Sequence, residues 1–295
     1  MIAIVTDSNS QMPPELAARL GISVVPLTVT VDGVAYQEGV DLDADEFYAR
    51  FASGAPEVAT SQPSPGTFAV TFRSLVDQGA DAIVSVHIGS ALSGTVNSAR
   101  LAAATSPVPV RIVDTGTASF GIAFAAWEAA DVAAAGGTLD EVVAAAERVG
   151  ATVGNVFVVG APALARAGGR LTEGDAPAEQ PPAAAIPVVT LAGGAMRTVG
   201  HASDLEQAAR IMAYHVLAAG PWLRVAVGVA DAGTLPMVEA VEALLRDAPG
   251  VKELIRYRVG PSVGAHTGPG TMGMMFYPSP PSALGSDPAW SPDPA

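Results

Sequence analysis

The chain has 295 residues, 49% of them hydrophobic, a formal net charge of −14 at pH 7 and no cysteine. A strongly negative protein repels phosphate backbones, which argues against nucleic acid as a partner. The absence of thiols excludes a disulfide framework and a thiolate metal site, and no apolar run reaches the roughly 18 residues that a membrane helix needs.

The N-terminus begins with a short apolar stretch, residues 2–6, that reaches Asp7 at once. It lacks the basic segment of a secretory signal and predicts a first strand, so we expect a cytoplasmic protein. At about 150 residues per domain, the length predicts two domains.

The first half alternates strand-like and helix-like segments. Strands are predicted at 2–6, 23–31, 82–87 and 108–113, and helices at 13–20, 43–52, 67–78, 95–104, 117–134 and 138–150. A proline-stiffened polar loop is predicted at 59–66. Alternation of this kind indicates βαβ units and a mainly parallel sheet flanked by helices. Polar loops that follow strands at Asp7, Gly89 and Asp114 should therefore gather at the carboxyl edge of the sheet, where open α/β sheets bind ligands.

The second half has several strands in succession. Strands are predicted at 155–160, 186–191, 195–199, 223–230, 252–259 and 271–277, and helices at 162–167, 204–217 and 235–246. Residues 173–184 are predicted to be a mobile loop, and residues 278–295, with six prolines, a disordered tail. The fold class is thus α/β with two domains: 1–152 with a mainly parallel sheet, and 153–277, an α+β domain with a mixed or antiparallel sheet.

Residues 263–271 place His266 and Thr267 among three glycines and a proline. Glycine allows a close backbone approach, and exposed N–H groups beside a histidine and a hydroxyl suit an anion. The alternative is a tight turn between two strands. Neither interpretation expects a helix here.

Three enzyme patterns occur in the chain. Gly260–Gly264 matches G-x-S-x-G around Ser262, but a nucleophile elbow needs a following helix, and this glycine-rich stretch predicts none. Gly268–Gly273 matches G-x-G-x-x-G without a βαβ unit after it. Asp7 after the first strand suits an aspartate-nucleophile phosphotransferase, although Asn9 replaces the second carboxylate of that chemistry. The four histidines are not closely spaced, so no metal site is expected: His87, His201, His215 and His266.

Three stretches together resemble the DegV family of bacterial fatty-acid-binding proteins: Thr60–Gly66, Leu92–Thr95 and His266–Gly270. Supporting matches are Thr6–Ser8, Val113–Thr115 and Gly168–Arg170. They occur in the family's order over residues 1–277. The segment after Arg170 departs from the family, with a polar 173–184 loop and Ile186 where a lysine is common.

The resemblance implies a non-enzymatic carrier that holds one long-chain fatty acid in a tunnel between two domains. It needs no cofactor and presents the head group to a separate fatty-acid kinase, which makes an acyl-phosphate for phospholipid synthesis. A transient contact with a membrane surface is compatible with this role. The ligand-binding residues implied are Thr60, Ser61, Ser93, Gly94, His266, Thr267 and Arg170, with Arg197 facing the partner.

Plainer interpretations of these residues remain open. Ser93 suits a helix N-cap, Thr60 and Ser61 can simply close a loop, and His266 can be a hydrogen-bonded core histidine. The chain could also bind another amphipathic acid or lipid without a kinase partner.

Overall fold

The structure is a computed structural model that describes residues 1–161, 163–164, 185–192 and 195–279. The predicted 173–184 loop, Arg170, nearly all of the predicted tail and most of the predicted 162–167 helix lie outside the described residues. The chain divides into two compact units. Unit 1 comprises Met1–Ala151 and Gly260–Ala265, and unit 2 comprises the described residues of Thr152–Val259 and those from His266 onward.

Unit 1 is built around a parallel sheet with helices. The strands are β1 (Ile2–Asp7), β2 (Ile22–Val25), β3 (Thr28–Val31), β4 (Val34–Gln37), β5 (Val58–Ser61), β6 (Ala82–His87) and β7 (Val110–Asp114). The helices are α1 (Pro14–Leu20), α2 (Ala44–Phe51), α3 (Pro65–Asp77), α4 (Thr95–Ala103), α5 (Phe120–Ala134) and α6 (Leu139–Thr152). Strands β2, β1, β6 and β7 lie in that order and are all parallel, as the alternating pattern predicts.

Local sequence signals set several helix ends. Asp43 accepts a hydrogen bond from Glu46 N at the start of α2, and Ser64 accepts one from Thr67 N at the start of α3. Thr138 and Glu141 form a capping box, since Thr138 N donates to Glu141 Oε2 at 2.8 Å and Glu141 N donates to Thr138 Oγ1 at 3.4 Å. Each cap satisfies a backbone N–H that has no partner within its helix.

Two predictions in unit 1 were wrong. Residues 23–31 form two strands, because Pro26 has no N–H to donate to a ladder and the chain leaves one sheet there for another. The predicted loop at 59–66 begins as strand β5, which pairs antiparallel with β3. Strands β4, β3 and β5 make a second, three-stranded antiparallel sheet. Pairing with a distant strand overrode the local turn signals of this stretch.

Unit 2 has a six-stranded mixed sheet. Its strands are β8 (Gly154–Val158), β9 (Ile186–Ala192), β10 (Ala195–Ala202), β11 (Leu223–Val229), β12 (Val251–Arg258) and β13 (Met272–Pro278), in the order β10-β9-β8-β13-β11-β12. Among the described strands of this sheet, β11 and β12 are the one pair of parallel neighbours. Helices α7 (Leu205–Leu217) and α8 (Leu235–Leu245) pack on one face over a core of buried apolar side chains. The predicted mixed sheet and α/β class are confirmed.

A further helix, α9 (Pro261–Thr267), occupies the stretch predicted to be irregular. Proline is tolerated at the start of a helix, and a glycine inside one costs only about 1 kcal/mol. Gly264 is needed there, because a Cβ on it would lie 2.7 Å from Phe47 Cε1 and from Tyr48 Oη. Packing on α2 therefore outweighs low helix propensity. Within the described ranges, no helix has the length and apolarity to cross a bilayer.

Candidate functional site

The loop that carries Ser93 is anchored by the ends of two neighbouring strands. Ile88 N donates to Asp7 Oδ2 at 3.1 Å, and Ser90 N donates to Asp114 Oδ1 at 3.0 Å. Asp7 ends β1 and Asp114 ends β7, on either side of β6 in the sheet. The polar loops therefore meet at the carboxyl edge, as their positions after the strands predict.

A close backbone approach also fixes this loop. A Cβ on Gly89 would lie 2.8 Å from the carbonyl carbon of Gly116, so only glycine fits at position 89. Burial disfavours the Asp114 carboxylate, but hydrogen bonds from the side chain and backbone of Ser90, together with the Gly116 backbone, outweigh it and lower the pKa of Asp114. Its carboxylate is thus kept ionised as an acceptor for the loop N–H groups.

Ser93 is half-buried and immediately precedes the N-cap of α4, which is Gly94. Its Oγ accepts a hydrogen bond from Thr95 N at 3.3 Å and lies 2.9 Å from Thr95 Oγ1. Ser93 is therefore not the N-cap residue itself. A hydroxyl that accepts from the backbone keeps a proton that it can donate.

Thr60 and Ser61 end strand β5 and pair with Val29 and Thr28. Thr60 is half-buried and Ser61 is exposed. Because successive side chains of a strand point to opposite faces, their two hydroxyls leave on opposite sides of the three-stranded sheet. Strand geometry, not a flexible loop, sets the direction of each hydroxyl.

Gln62 links the Thr60 segment to the Ser93 loop. A Cβ on Gly94 would lie 2.9 Å from Gln62 Nε2, so the amide packs directly against the Gly94 backbone. The structure thus brings four of the predicted ligand residues into one part of unit 1: Thr60, Ser61, Ser93 and Gly94. Sequence reasoning missed Gln62, although it lies inside the quoted Thr60–Gly66 motif.

His266 and Thr267 end helix α9 and belong to unit 2, and both are half-buried. Thr267 O accepts hydrogen bonds from Ala161 N and from Thr271 Oγ1, both at 2.8 Å. Gly270 N donates to Asp231 Oδ2. These three hydrogen bonds hold the turn after His266 within unit 2.

The glycines of this turn have defined roles. Gly268 has φ +73 and Gly270 has φ +79, in the left-handed region that favours glycine. The Gly160 backbone contacts the turn so closely that a Cβ there would overlap the Pro269 carbonyl oxygen. Glycine therefore shapes the backbone of the turn after His266, although the stretch begins as a helix.

Of the two predicted arginines, Arg197 is among the residues that the structure describes. Arg197 is exposed on β10, opposite Thr190 of β9. Arg170 lies outside the described residues.

Asp7 has an enclosed, structural position in unit 1. Its side chain is 0% exposed. Oδ1 accepts from Asn9 N at 3.1 Å, while Oδ2 accepts from Ile88 N and lies 2.9 Å from His87 Nδ1. A nucleophilic carboxylate must reach its substrate, which this enclosed one cannot do without rearrangement.

His87 extends this buried chain. Its Nε2 lies 2.6 Å from Ser85 Oγ, so Ser85, His87 and Asp7 form a serine–histidine–aspartate chain. All three are 0% exposed. The arrangement has the connectivity of a hydrolase triad without an accessible nucleophile, and it ties β6 to β1.

Ser262 is also structural. The sequence argument against a nucleophile elbow was wrong in its premise, because a helix does form there. Ser262 is 2% exposed, however, and its Oγ accepts from Asn9 Nδ2 at 3.1 Å and Gln11 Nε2 at 3.2 Å. No group of three or more histidine, aspartate and glutamate side chains arranged to hold a metal was found in the part of the chain that the structure describes.

These features define a class: a two-unit α/β protein with hydroxyl side chains at the carboxyl edge of a parallel sheet and a histidine-bearing glycine turn in the second unit. The family described as uncharacterised protein, DegV family, matches residues 1–279. A DegV domain-containing protein of Streptomyces coelicolor is 38% identical over 277 residues, covering 93% of this chain and 97% of its own. The chain therefore belongs to the DegV family.

Solved structures agree with this assignment. One described as fatty acid binding of a DegV family protein from Thermus thermophilus has a TM-score of 0.84 and 32% identity, covering 94% of this chain and 99% of its own. Another, described as DegV, a fatty acid binding protein from Bacillus subtilis, has a TM-score of 0.82 and 26% identity, with the same coverages.

Proposed function

We propose that this protein is a non-enzymatic carrier that binds one long-chain fatty acid. The observation that carries the proposal is its whole-chain similarity to the fatty-acid-binding Thermus thermophilus protein, at 32% identity. The hydroxyl and glycine positions collected in unit 1 support it. The acid's tail lies in a tunnel between the two domains, 1–152 and 153–277, as the family resemblance implies.

The carboxylate is held by neutral donors. Strand β5 supplies one hydroxyl, from Thr60 or from Ser61, because the two side chains face opposite sides of the sheet. Ser93 supplies a second hydroxyl with Gly94 giving backbone access, and the turn after α9 supplies His266 and Thr267. Each hydrogen bond to a charged group contributes roughly 1.5–3 kcal/mol, so a few donors offset much of the cost of burying a carboxylate. A protein of net charge −14 cannot attract an anion at long range, so local donors must do so.

The alkyl tail supplies most of the gross binding free energy. Burial is favourable by about 0.8 kcal/mol per methylene, which for a tail of about sixteen carbons gives on the order of 10 kcal/mol before ordering costs. This term needs no cofactor and no metal. Arg170 is assigned to the entrance of the tunnel, and the exposed Arg197 is assigned to the surface that faces the kinase.

The bound acid is then presented to a separate cytoplasmic fatty-acid kinase, which phosphorylates its carboxylate. The carrier itself holds the substrate and contributes no nucleophile, consistent with the enclosed Asp7 and Ser85. A brief contact with a membrane surface would let the acid enter and leave.

The test is denaturing extraction of the purified protein followed by mass spectrometry. We expect close to one long-chain fatty acid per chain, because the tail is otherwise exposed to water. The Ser93→Ala/His266→Ala double variant should hold less and bind added palmitate more weakly. Ser74→Ala/His215→Ala, the same two changes on an exposed face of α3 and on α7, is the matched control and should bind normally.

The carrier proposal fails if the wild-type protein is empty after extraction and the lipid-free protein binds neither palmitate nor oleate in calorimetry. The kinase step is tested separately, with loaded protein, ATP and a bacterial fatty-acid kinase, by trapping acyl-phosphate with hydroxylamine. Fatty-acid binding without acyl-phosphate in that reaction would leave a lipid-binding module without a kinase partner.

A further inference from the structure

Unit 1 encloses a polar cluster that lies outside the predicted ligand residues. It joins the turn after β1 and the residue after β4 to the first turn of α9, and we call it the Glu38 clasp. Its members are Ser8, Asn9, Gln11, Glu38, Gly260 and Ser262, all of them buried. The chain thus returns to unit 1 at Gly260, after the segment Thr152–Val259 in unit 2, and its returning residues form part of this polar cluster.

The Glu38 carboxylate is the centre of the clasp. Ser262 N donates to its Oε1 at 2.7 Å, Gln11 Nε2 donates to the same oxygen at 3.3 Å, and Ser8 Oγ donates to Oε2. Ser8 Oγ in turn accepts from Leu27 N at 2.9 Å. The carboxylate therefore binds the start of α9 to two separate segments of unit 1.

Two amide side chains also form hydrogen bonds with the start of α9. Gln11 Oε1 accepts from Gly260 N, and both Asn9 Nδ2 and Gln11 Nε2 donate to Ser262 Oγ. Asn9 is itself oriented, because its Oδ1 accepts from Ser119 N at 3.1 Å. The backbone N–H groups of Gly260 and Ser262 and the hydroxyl of Ser262 are thus all engaged.

The donors to Glu38 in the clasp are neutral. Burial raises the pKa of Glu38, and hydrogen bonds from Ser8, Ser262 and Gln11 only partly counter it. A buried carboxylate without a cation is a poor means of gaining stability, since its desolvation is not repaid by an opposite charge. The Glu38 carboxylate is better explained by the segments that it holds together.

Gln11 also has an unfavourable backbone conformation. Its φ is +56, in the left-handed region, where a residue with a Cβ is disfavoured. Gln11 N donates to Ser8 O at 3.0 Å and Gln11 Nε2 donates to the same oxygen at 2.9 Å, which keeps the turn closed. Residues in strained conformations persist when their surroundings over-determine them, and they cluster at functional sites.

Helix α9 connects the clasp to the ligand donor. Ser262 lies in its first turn and His266 one turn later, four residues on, on the same side of the helix. Gly264 between them packs so closely on Phe47 and Tyr48 of α2 that no side chain fits. A short helix held at its first turn and along one side has little freedom at its last turn.

We propose that Glu38 is a positioning residue, which sets the direction of His266 toward the bound carboxylate by holding the first turn of α9. The proposal rests on the proposed function, in that it needs His266 to donate to the ligand. It assigns to the clasp a specific effect on head-group recognition, beyond any effect on folding.

The test is a double-mutant cycle on the full-length protein, with palmitate as the probe and calorimetry as the readout. Glu38→Gln keeps the side-chain shape but replaces an acceptor oxygen with a donor, and it should weaken palmitate binding by about tenfold, within the range of coupling between contacting residues. In a His266→Ala background the same change should weaken binding by less than about twofold, since the donor it orients is gone.

A second readout separates positioning from destabilisation. We expect Glu38→Gln to reduce the preference for palmitate over hexadecanol, which has the same tail without the carboxylate. The matched control is Glu253→Gln, which changes a buried glutamate in unit 2 and should leave that preference unchanged.

Gln11→Gly decides the question if Glu38→Gln does not fold, because glycine removes the amide while accepting the positive φ. It should show the same dependence on His266. Equal losses with and without His266, or unchanged palmitate affinity in both clasp variants, would overturn the positioning role while leaving the carrier function intact. Absence of palmitate binding by the wild-type protein would instead refute the carrier function itself and the positioning role with it.

Discussion

Glu38 in unit 1 and Glu253 in unit 2 are both buried carboxylates, but their partners differ. Glu253 lies on β12 opposite Arg224 of β11, and its Oε2 is 2.8 Å from Arg224 Nε. Arg224 also donates to Tyr277 Oη at 3.2 Å from the neighbouring β13. In the clasp, by contrast, Glu38 accepts from hydroxyl, amide and backbone groups.

The difference bears on how an acidic protein holds an anion. The Arg224–Glu253 pair fixes three strands of one sheet and has a clear structural purpose. Glu38 illustrates the alternative, a carboxylate held by serine, an amide and a backbone N–H, and this is the chemistry that we propose for the fatty-acid head group. Replacing a carboxylate should therefore destabilise the protein most where its partner is a buried cation and least where its partners are neutral.

The largest effect should come from Glu253→Gln. It leaves the guanidinium of Arg224, whose side chain is 2% exposed, without its anionic partner. Breaking a buried pair in this way costs about 3–5 kcal/mol of unfolding free energy, measurable by urea titration. The double change Arg224→Met/Glu253→Leu should recover most of that loss. A loss below about 1 kcal/mol for the single variant would show that water reaches the pair.

An intermediate effect is expected for Glu242→Gln. Glu242 on α8 accepts from Arg256 Nε at 2.8 Å and from Arg256 Nη2 at 2.6 Å, and the hydrogen bond raises the pKa of Arg256. The Arg256 side chain is 41% exposed, so solvent screening limits the loss to about 1 kcal/mol or less. Urea titrations at low and high sodium chloride should show the difference from wild type shrinking with salt. A difference that does not change with salt would mean that packing, not charge, holds the pair.

The smallest effect at neutral pH is expected for Glu38→Gln, with a change in unfolding free energy close to zero, because the neutral amide removes the desolvation cost of the carboxyl while losing one acceptor. Burial raises the pKa of Glu38 above its unfolded value, so the folded state binds the proton more tightly. The stabilisation from this carboxyl is therefore present at low pH and is lost as pH rises through the folded pKa. The unfolding free energy of the wild type minus that of the variant should fall as pH rises above about 4.5, the ordinary pKa of a glutamate. A difference that rises with pH would contradict this assignment of the clasp.

Local signals anticipated much of the fold. Alternation of strands and helices predicts the parallel sheet, and polar residues after β1, β6 and β7 predict loops at its carboxyl edge, which the hydrogen bonds of Asp7 and Asp114 confirm. The motif stretches pointed to the DegV family, which the whole-chain match confirms. Residue pattern and cap chemistry act within a few positions of the chain, so a sequence displays them directly.

Two of the errors involve contacts between distant segments, whereas the break at Pro26 had a local signal. Thr60 and Ser61 lie in a strand because β3 pairs with them, and residues 261–267 are a helix because α2 packs against Gly264. Nothing local to either stretch records those partners.

The sequence by itself therefore determined the fold class, the family and the polar loops at the ends of β1, β6 and β7, since these depend on composition and short-range spacing. Only the tertiary structure showed that Gly260 and Ser262 return to unit 1, and that Asn9, Gln11 and Glu38 bind them there. Hydrogen bonds between residues more than two hundred positions apart depend on how the sheets and helices assemble. The helix that carries His266 is thus placed by residues that the sequence gives no reason to associate with it.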